Sequence, residues 1–244
     1  MNSSKIRWAA NKTSRFQDLQ KAAEDFRHLL NRGYPRKGSL ELVGNRYDLS
    51  FDERHLLHRG VYSDGDSEVR QKKIISPKGI KNKDLAVDGH NVLITIEAGL
   101  SGRPLILADD GFVRDISGLS GNYRKTGVTE KAIALIIQFL NEWGPRNTLF
   151  LFDAPISKSG ILAKELRVLL KKKDLPGDAI AVKVPEKILI GFPGVVATSD
   201  TAVIDRCDKV TDLAGNIIRT EIGSMSLLRL KRGRLIKRRR ISEK

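Results

Sequence analysis

The chain has 244 residues, 40% of them apolar and 30% charged, which is typical of a soluble globular protein and excludes a disordered one. Its formal net charge of +15 is the largest departure from ordinary composition and indicates a polyanionic partner. No stretch is apolar over the roughly 18 residues of a membrane helix, and the first residues lack a signal-peptide pattern, so we expect a cytoplasmic protein without membrane contact. The single cysteine, Cys207, excludes an internal disulfide framework and a cysteine-based zinc site.

The positive charge lies at the two ends of the chain. Residues 1–83 carry 18 Lys and Arg against 10 Asp and Glu, residues 84–223 carry 17 against 18, and residues 224–244 carry 9 against 1. Blocks of like charge as dense as the last one usually bind nucleic acid, because each cation that meets a phosphate releases counterions. An anionic membrane surface is disfavoured, since the segment lacks the aromatic apolar face of an interfacial helix. We predict a basic C-terminal tail over 224–244 whose nucleic-acid ligands are Arg232, Arg234, Lys237, Arg238, Arg239 and Arg240.

The N-terminal third has helical spacing. Ser14 to Gln17 and Ser50 to Glu53 have the form of capping boxes, in which two side chains satisfy free N–H groups at the start of a helix. Apolar residues recur every three or four positions from Phe16 to Leu30, and Gly33-Tyr34-Pro35 ends that helix. These patterns predict a small basic helical domain over residues 1–61.

The pattern then changes twice. Residues 62–83 are rich in Asp, Gly, Ser, Lys and Pro, which predicts a linker or mobile loop. Over residues 84–223, short apolar runs alternate with helical segments, which predicts a three-layer α/β domain with a mostly parallel sheet. The predicted strands cover residues 85–87, 104–108, 148–152, 179–184 and 195–198. No P-loop or dinucleotide-binding glycine motif follows any of them, which disfavours both classes of enzyme.

Aspartates stand where these predicted strands end. Asp88, Asp153 and Asp200 follow the first, third and last strands, and Asp109 and Asp110 follow the second. Ligands of an open α/β sheet bind beyond the carboxyl ends of its strands, so these carboxylates are expected to converge. Clustered carboxylates repel one another unless a cation neutralises them, and an all-oxygen site suits Mg²⁺ or Mn²⁺.

Several of these residues also have an ordinary structural interpretation. Asp88 precedes a glycine, as turn residues do, and Asp200 could cap the helix that follows it. Asp109 and Asp110 before Gly111 could form nothing more than a turn. Three separate strands that end in aspartate are harder to explain in this way, and they favour a shared metal site.

Three segments resemble motifs of the PIN-like nucleases, and of their NYN branch in particular. Val87 to Leu93 resembles the opening D-G-x-N element, Leu151 to Ala154 resembles the mid-sheet element, and Ala197 to Asp205 resembles the late T-S-D element. The whole chain is also similar to a prokaryotic two-part family in which a domain of unknown function 434 precedes a PIN-like domain. Residues 32–35 and 42–47 carry the N-terminal part of that second resemblance.

The resemblance to PIN-like nucleases implies a Mg²⁺- or Mn²⁺-dependent ribonuclease. It assigns Asp88, Asp200 and Asp205 as metal ligands, Asp153 as a further acidic residue and Asn91 as the side chain that holds the first loop. PIN nucleases place another acidic residue between the first and last strands, and four positions compete for that role: Asp109, Asp110, Asp115 and Glu130. Residues 109–124 mix small, polar and basic side chains as a substrate-contacting loop does, and from them we predict two further nucleic-acid ligands, Arg114 and Arg124.

The sequence therefore predicts a nuclease that acts on nucleic acid, with RNA preferred over DNA only through the resemblance. A non-catalytic nucleic-acid-binding module on the same scaffold is the competing hypothesis, and a metal-dependent phosphatase ranks last because the basic ends would then lack a purpose. Whether the protein acts as a homodimer stays open.

Overall fold

A computed structural model describes residues 12–116, 125–223 and 227–230 of the chain. Its helices are α1 (Lys12–Asn31), α2 (Arg36–Arg46), α3 (Phe51–Gly60), α4 (Asp64–Lys72), α5 (Gly89–Leu100), α6 (Gly127–Trp143), α7 (Ser159–Lys172), α8 (Pro185–Ile190), α9 (Thr201–Ile204) and α10 (Leu213–Ile217). Its strands are β1 (Asp84–Asp88), β2 (Leu105–Leu107), β3 (Val113–Asp115), β4 (Asn147–Asp153), β5 (Gly177–Val182), β6 (Val195–Ala197), β7 (Val210–Thr211) and β8 (Leu227–Leu228). A 3₁₀ turn lies at Pro77–Ile80 and a π-helical turn at Ile218–Ile222.

Five strands form an all-parallel sheet in the order β5-β4-β1-β6-β7. The central strand β1 pairs with β4 on one side, from Asp84 opposite Asn147, and with β6 on the other. The chain builds the sheet outward from β1 in one direction and then returns to build it in the other. The order therefore reverses between β1 and β6, where open α/β sheets bind their ligands. The predicted α/β class with a parallel sheet is confirmed.

Both faces of this sheet are covered. Leu85 and Val87 of β1 pack with α5, α6 and α7, whereas Ala86 packs on the opposite face with residues of α8 and α9. Successive side chains of a strand point to opposite faces, so a strand buried on both sides must be apolar throughout. This explains why the strands are visible in the sequence as continuous apolar runs.

One predicted strand lies in another sheet. β2 covers most of the run at 104–108, but it pairs antiparallel with β3 and parallel with β8 in a second, three-stranded sheet. A tight turn at Gly111, whose φ is +90°, reverses the chain after β2. Asp109 and Asp110 therefore lie in a hairpin turn, and the prediction that they follow a strand of the parallel sheet is wrong.

The N-terminal helices pack onto this second sheet. Phe26 of α1 and Leu57 of α3 share one buried cluster with Ile106, Ile116 and Leu230. The helical region predicted before the parallel sheet is present, and its core includes side chains from much later in the chain. Residues 227–230, predicted as part of a basic tail, supply β8 and the buried Leu230 to this packing.

The linker predicted over residues 62–83 is instead structured. It contains α4, which Ser63 caps by accepting a hydrogen bond from the backbone N–H of Asp66 at 3.1 Å. Arg70 and Ile80 are buried. The sequence did not predict this helix, because it has no stripe of apolar residues at helical spacing. Polar contacts hold it in place instead. At the other end of the region, α1 already includes Lys12, so Ser14 lies within the helix and the predicted capping box there is wrong. The box at Ser50 and Glu53 is confirmed.

Across the described segments, no helix combines the length and apolar character that crossing a bilayer requires.

Candidate metal and nucleic-acid site

A cavity of about 320 Å³ opens at the point where the strand order reverses. Four aspartates line it, and each follows or ends a strand: Asp88 (β1), Asp115 (β3), Asp153 (β4) and Asp200 (β6). The parallel sheet thus places Asp88, Asp153 and Asp200 on one cavity, although Asp88 and Asp200 are 112 positions apart in the sequence. The small sheet supplies the fourth carboxylate, Asp115. Asn91, from the first turn of α5, lines the same cavity.

Asp88 is buried, with 9% of its surface exposed. Its Oδ2 accepts a hydrogen bond from the Thr198 hydroxyl at 2.8 Å. Burial raises the pKa of Asp88 to about 7, and the neighbouring charges of Asp153 and Asp200 act in the same direction. The Thr198 hydrogen bond opposes this shift without cancelling it. Asp88 therefore sits in an environment that favours a proton or a cation on the carboxylate.

Asp200 has both of the roles that the sequence suggested as alternatives, in that it caps a helix and lines the cavity. Its Oδ1 accepts hydrogen bonds from the backbone N–H groups of Ala202 and Val203, at 2.7 and 3.3 Å, and so caps α9. The preceding loop is fixed by Asn91, whose Oδ1 accepts from the backbone N–H and the hydroxyl of Ser199, each at 2.9 Å. Asn91 thus links the first loop of the sheet to the last one and sets the position of Asp200.

Asp153 is held beside a histidine that the sequence did not assign. The backbone N–H of Asp153 donates to Nδ1 of His90 at 3.0 Å, and its Oδ2 lies 3.1 Å from the same nitrogen. The His90 ring meets the edge of Phe152 at 5.1 Å between centroids. His90 lines the cavity and follows Asp88 by two positions, which was the available signal.

Three further ionisable side chains of the cavity were missed: His55, Arg59 and Glu186. Glu186 lies in the first turn of α8, shortly after β5, so the rule that found the aspartates would also have found it. His55 and Arg59 come from α3, far from the sheet in sequence. Nothing local in the sequence indicates that they reach this cavity.

Of the four residues that competed for an additional acidic role, Asp115 lines the cavity. The carboxylate of Asp109 accepts from Arg27 at 2.8 and 3.0 Å. That of Asp110, which is fully buried, accepts from Arg114 twice at 2.8 Å and from Arg70 at 3.2 Å. Glu130 is exposed on α6, 3.8 Å from the Lys125 ammonium.

Two other predicted site residues form ion pairs within the protein. Asp205 accepts two hydrogen bonds from Arg70, at 2.6 and 2.9 Å, and does not line the cavity. Arg114 is 1% exposed and also donates to the Ser199 carbonyl at 2.7 Å, so its guanidinium is committed to internal contacts, contrary to the predicted substrate contact. The remaining predicted nucleic-acid ligands lie outside the described residues: Arg124, Arg232, Arg234, Lys237, Arg238, Arg239 and Arg240.

The chemistry of the cavity suits a hard divalent cation, since carboxylate oxygens predominate and their mutual repulsion is relieved by positive charge. In the described part of the chain, however, no three His, Cys, Asp or Glu side chains are close enough together to enclose a metal ion. The aspartates share a cavity without yet forming a closed ligand set.

Two family models match the chain in succession. Residues 18–73 match a protein family of unknown function, DUF434, and residues 77–216 match a domain of unknown function, DUF5616. The chain belongs to the DUF5616 family. The predicted two-part architecture with DUF434 first is confirmed, and the second part, predicted as a PIN-like domain, matches DUF5616. The DUF5616 part supplies all four aspartates of the cavity, while the DUF434 part supplies His55 and Arg59.

The chain is also similar to the uncharacterized protein MJ0935 of Methanocaldococcus jannaschii. The two are 36% identical over 202 residues, which cover 82% of this chain and 96% of the relative. The similarity therefore extends over both parts of the protein. No solved structure matches the chain.

Proposed function

We propose that this protein is a metal-dependent nuclease that hydrolyses phosphodiester bonds, with RNA as its substrate. The observation that carries the proposal is the convergence of Asp88, Asp153 and Asp200 on one cavity at the reversal of strand order. These are the aspartates of the three segments that resemble PIN-like nucleases. The choice of RNA rests on that resemblance.

The residues proposed to hold Mg²⁺ or Mn²⁺ are Asp88 and Asp200, with Asp153 and Asp115 on the same cavity. Asp205, which the resemblance assigned as a ligand, is left out because Arg70 occupies both of its oxygens. A bound cation of this type polarises a phosphoryl oxygen and lowers the pKa of a bound water. The protein's own contribution is positional: Thr198 orients the Asp88 carboxylate, and Asn91 fixes the loop that carries Asp200.

The charge distribution supports a polyanionic substrate. Residues 1–83 and 224–244 carry all of the excess positive charge, while the part with the aspartates is nearly neutral. A cationic surround raises the local concentration of a polyanion and compensates for its repulsion by the acidic cavity.

One observation favours a second candidate, a nucleic-acid-binding module without catalytic activity. Within the described residues, no group of acidic side chains is close enough together to enclose a metal ion. This is the arrangement expected of a degenerate site that has lost its metal. This candidate predicts tight binding to RNA and no metal-dependent cleavage.

The deciding experiment is a cleavage assay with end-labelled single-stranded and structured RNA and DNA, in Mn²⁺, Mg²⁺ or EDTA. We expect the wild type to cleave RNA in either metal and to be inactive in EDTA. Asp200→Asn should bind RNA and fail to cleave it. Asp174→Asn, which removes a carboxylate from the end of α7, is the matched control and should keep full activity. Binding by the wild type without cleavage in any metal would instead support the binding module.

A further inference from the structure

A second cavity, of about 200 Å³, adjoins the one that holds the aspartates. Four arginines line it, together with His58, Tyr62 and the carboxylates of Asp66 and Asp200: Arg36 from α2, Arg59 from α3, Arg70 from α4 and Arg114 from β3. Arg59 and Asp200 line both cavities, so the two spaces meet at these residues. A group bound in the second cavity would lie next to one bound at the aspartates.

Three of the four arginines of this wall lie around one aromatic ring. The guanidinium carbons of Arg36 and Arg70 each lie 4.5 Å from the centre of the Tyr62 ring, and that of Arg114 lies 5.1 Å from it. A ring face attracts cations, which helps to hold three like charges close together. Tyr62 itself is buried.

Carboxylates compensate only part of this positive charge. Arg70 is paired with Asp110 and Asp205, and Arg114 is paired with Asp110. In the described part of the chain, Arg36 and Arg59 form no ion pair. Arg36 donates to two backbone carbonyls, those of His58 and Val61. The two arginines without a carboxylate partner therefore both line the cavity, as His58 does.

Arg59 is the most unusual of the group. Its Nε is buried and has no hydrogen-bond partner, and its guanidinium makes no side-chain hydrogen bond to any described residue. Burial, together with the charge of Arg114, lowers the pKa of Arg59, and burial with Arg70 and Arg114 lowers that of Arg36. A partly buried cation without an anionic partner costs free energy that a bound anion would recover.

The carboxylates of the first cavity do not serve as the anionic partner of Arg59. Asp115 and Asp200 favour the charged form of Arg59, but neither lies within ion-pair distance of it. The planar guanidinium matches the geometry of a phosphate through paired N–H groups, and phosphate is the anion that a polynucleotide offers at regular intervals. The free donors of Arg59 and the adjacent His58 therefore fit a phosphate group.

We propose that the cavity lined by Arg36, His58 and Arg59 binds a phosphate of the RNA strand next to the phosphodiester that is cleaved at the aspartates. This inference rests on the proposed nuclease function and deepens it. It assigns the DUF434 part a direct role in substrate binding, because α2 and α3 supply all three side chains.

The test is binding of a fluorescein-labelled single-stranded RNA 12-mer, measured by anisotropy in EDTA so that cleavage does not interfere. Arg59→Gln is the first variant because the side chain makes no hydrogen bond that folding would lose. We expect its Kd to rise about tenfold, and the salt dependence of log K to fall by about 0.7 for the lost phosphate contact. Arg59→Lys keeps the positive charge but loses the planar guanidinium, so its Kd should lie between those of the wild type and Arg59→Gln.

Arg32→Gln is the matched control, since it removes one exposed positive charge outside both cavities. Equal Kd values and salt slopes for Arg59→Gln and Arg32→Gln would overturn the proposal, as would a wild type that does not bind the 12-mer. Arg36→Gln should repeat the effect of Arg59→Gln once its fold is verified by circular dichroism.

Binding and cleavage separate the two proposals. An Asp200→Asn protein that still cleaves RNA would refute the nuclease site, whereas the phosphate subsite is judged by binding of the arginine variants alone. If Asp200→Asn is inactive and Arg59→Gln binds RNA as the wild type does, the nuclease site stands and the subsite is wrong.

Discussion

Arg70 donates to both carboxylate oxygens of Asp205, at 2.6 and 2.9 Å, across 135 positions of sequence. The same guanidinium donates to the fully buried Asp110 at 3.2 Å. One side chain of α4 thereby connects the hairpin of the small sheet to the end of α9. The helix that carries it lies in a segment whose composition predicts a loop, so polar contacts fix this part of the fold.

Removal of this guanidinium should destabilise the protein strongly. Arg70→Met leaves the fully buried Asp110 with Arg114 alone, and loss of one partner from a buried ion pair costs about 3 kcal/mol or more. The lost pair with Asp205 adds little, because that side chain is 49% exposed. We expect the free energy of unfolding in urea to fall by about 3 kcal/mol or more. Arg167→Met provides the comparison, because Arg167 and Asp178 form an ion pair with both side chains 52% exposed. Its loss should cost about 0–1 kcal/mol, and equal effects of the two substitutions would contradict the role given to Arg70.

The structure and the resemblance to PIN-like nucleases assign Asp205 different roles, and a cleavage assay distinguishes them. The structure pairs Asp205 with Arg70, whereas the resemblance makes it a metal ligand. Asp200→Asn should lower kcat about 100-fold or more, since a ligand that stabilises the transition state through a cation is worth several kcal/mol. Asp205→Asn should keep the rate within about threefold and lower stability slightly. The measurement is single-turnover cleavage of RNA in Mn²⁺. A loss for Asp205→Asn as large as that for Asp200→Asn would return Asp205 to the ligand set.

The raised pKa of Asp88 makes the stability of the metal-free protein depend on pH. The ordinary pKa is 3.8 and the folded value is about 7, so the folded state holds this proton more tightly. The contribution of Asp88 to stability is then fully present below about pH 4 and is lost as the pH rises toward 7 and beyond. At about 1.4 kcal/mol for each pKa unit, the effect is on the order of 4 kcal/mol.

Asp88→Asn removes that term, and we expect the metal-free variant to be more stable than the wild type at pH 8 and nearly equal to it at pH 4. Urea unfolding of both proteins in EDTA at the two pH values measures the difference, in which the titration of other groups largely cancels. Mn²⁺ should stabilise the wild type at pH 8 and have much less effect on the variant. A constant difference between the proteins from pH 4 to pH 8 would show that Asp88 is not perturbed.

Gly89 tests how closely the first loop must approach the sheet. A Cβ on Gly89 would lie 2.6 Å from two ring atoms of Phe152 and 2.9 Å from the Leu151 carbonyl oxygen, so the start of α5 would have to move. Gly89→Ala should therefore cost about 1–3 kcal/mol and lower cleavage by displacing Asp88. At Gly160 in α7 an added Cβ meets nothing within 4 Å. Gly160→Ala should be neutral or stabilise by about 0.5 kcal/mol, as measured by thermal unfolding.

The sequence by itself determined the parallel sheet and the aspartates at its edge. A strand buried on both faces must be an apolar run, and the residue that follows it must lie at the carboxyl edge, so β1, β4 and β6 and the residues Asp88, Asp153 and Asp200 could be predicted locally. The tertiary structure decided which polar side chains meet. In the sequence, Asp109 and Asp110 look equivalent to the other three aspartates. In the structure they lie in a hairpin turn, where Asp109 pairs with Arg27, and Asp110 pairs with Arg70 and Arg114. His55 and Arg59 reach the cavity because α3 packs against the small sheet. Ion pairs and cavity walls are formed by residues that are far apart in the sequence. The spacing of apolar residues predicts helices and strands, but it does not predict which polar side chains the tertiary structure brings into contact.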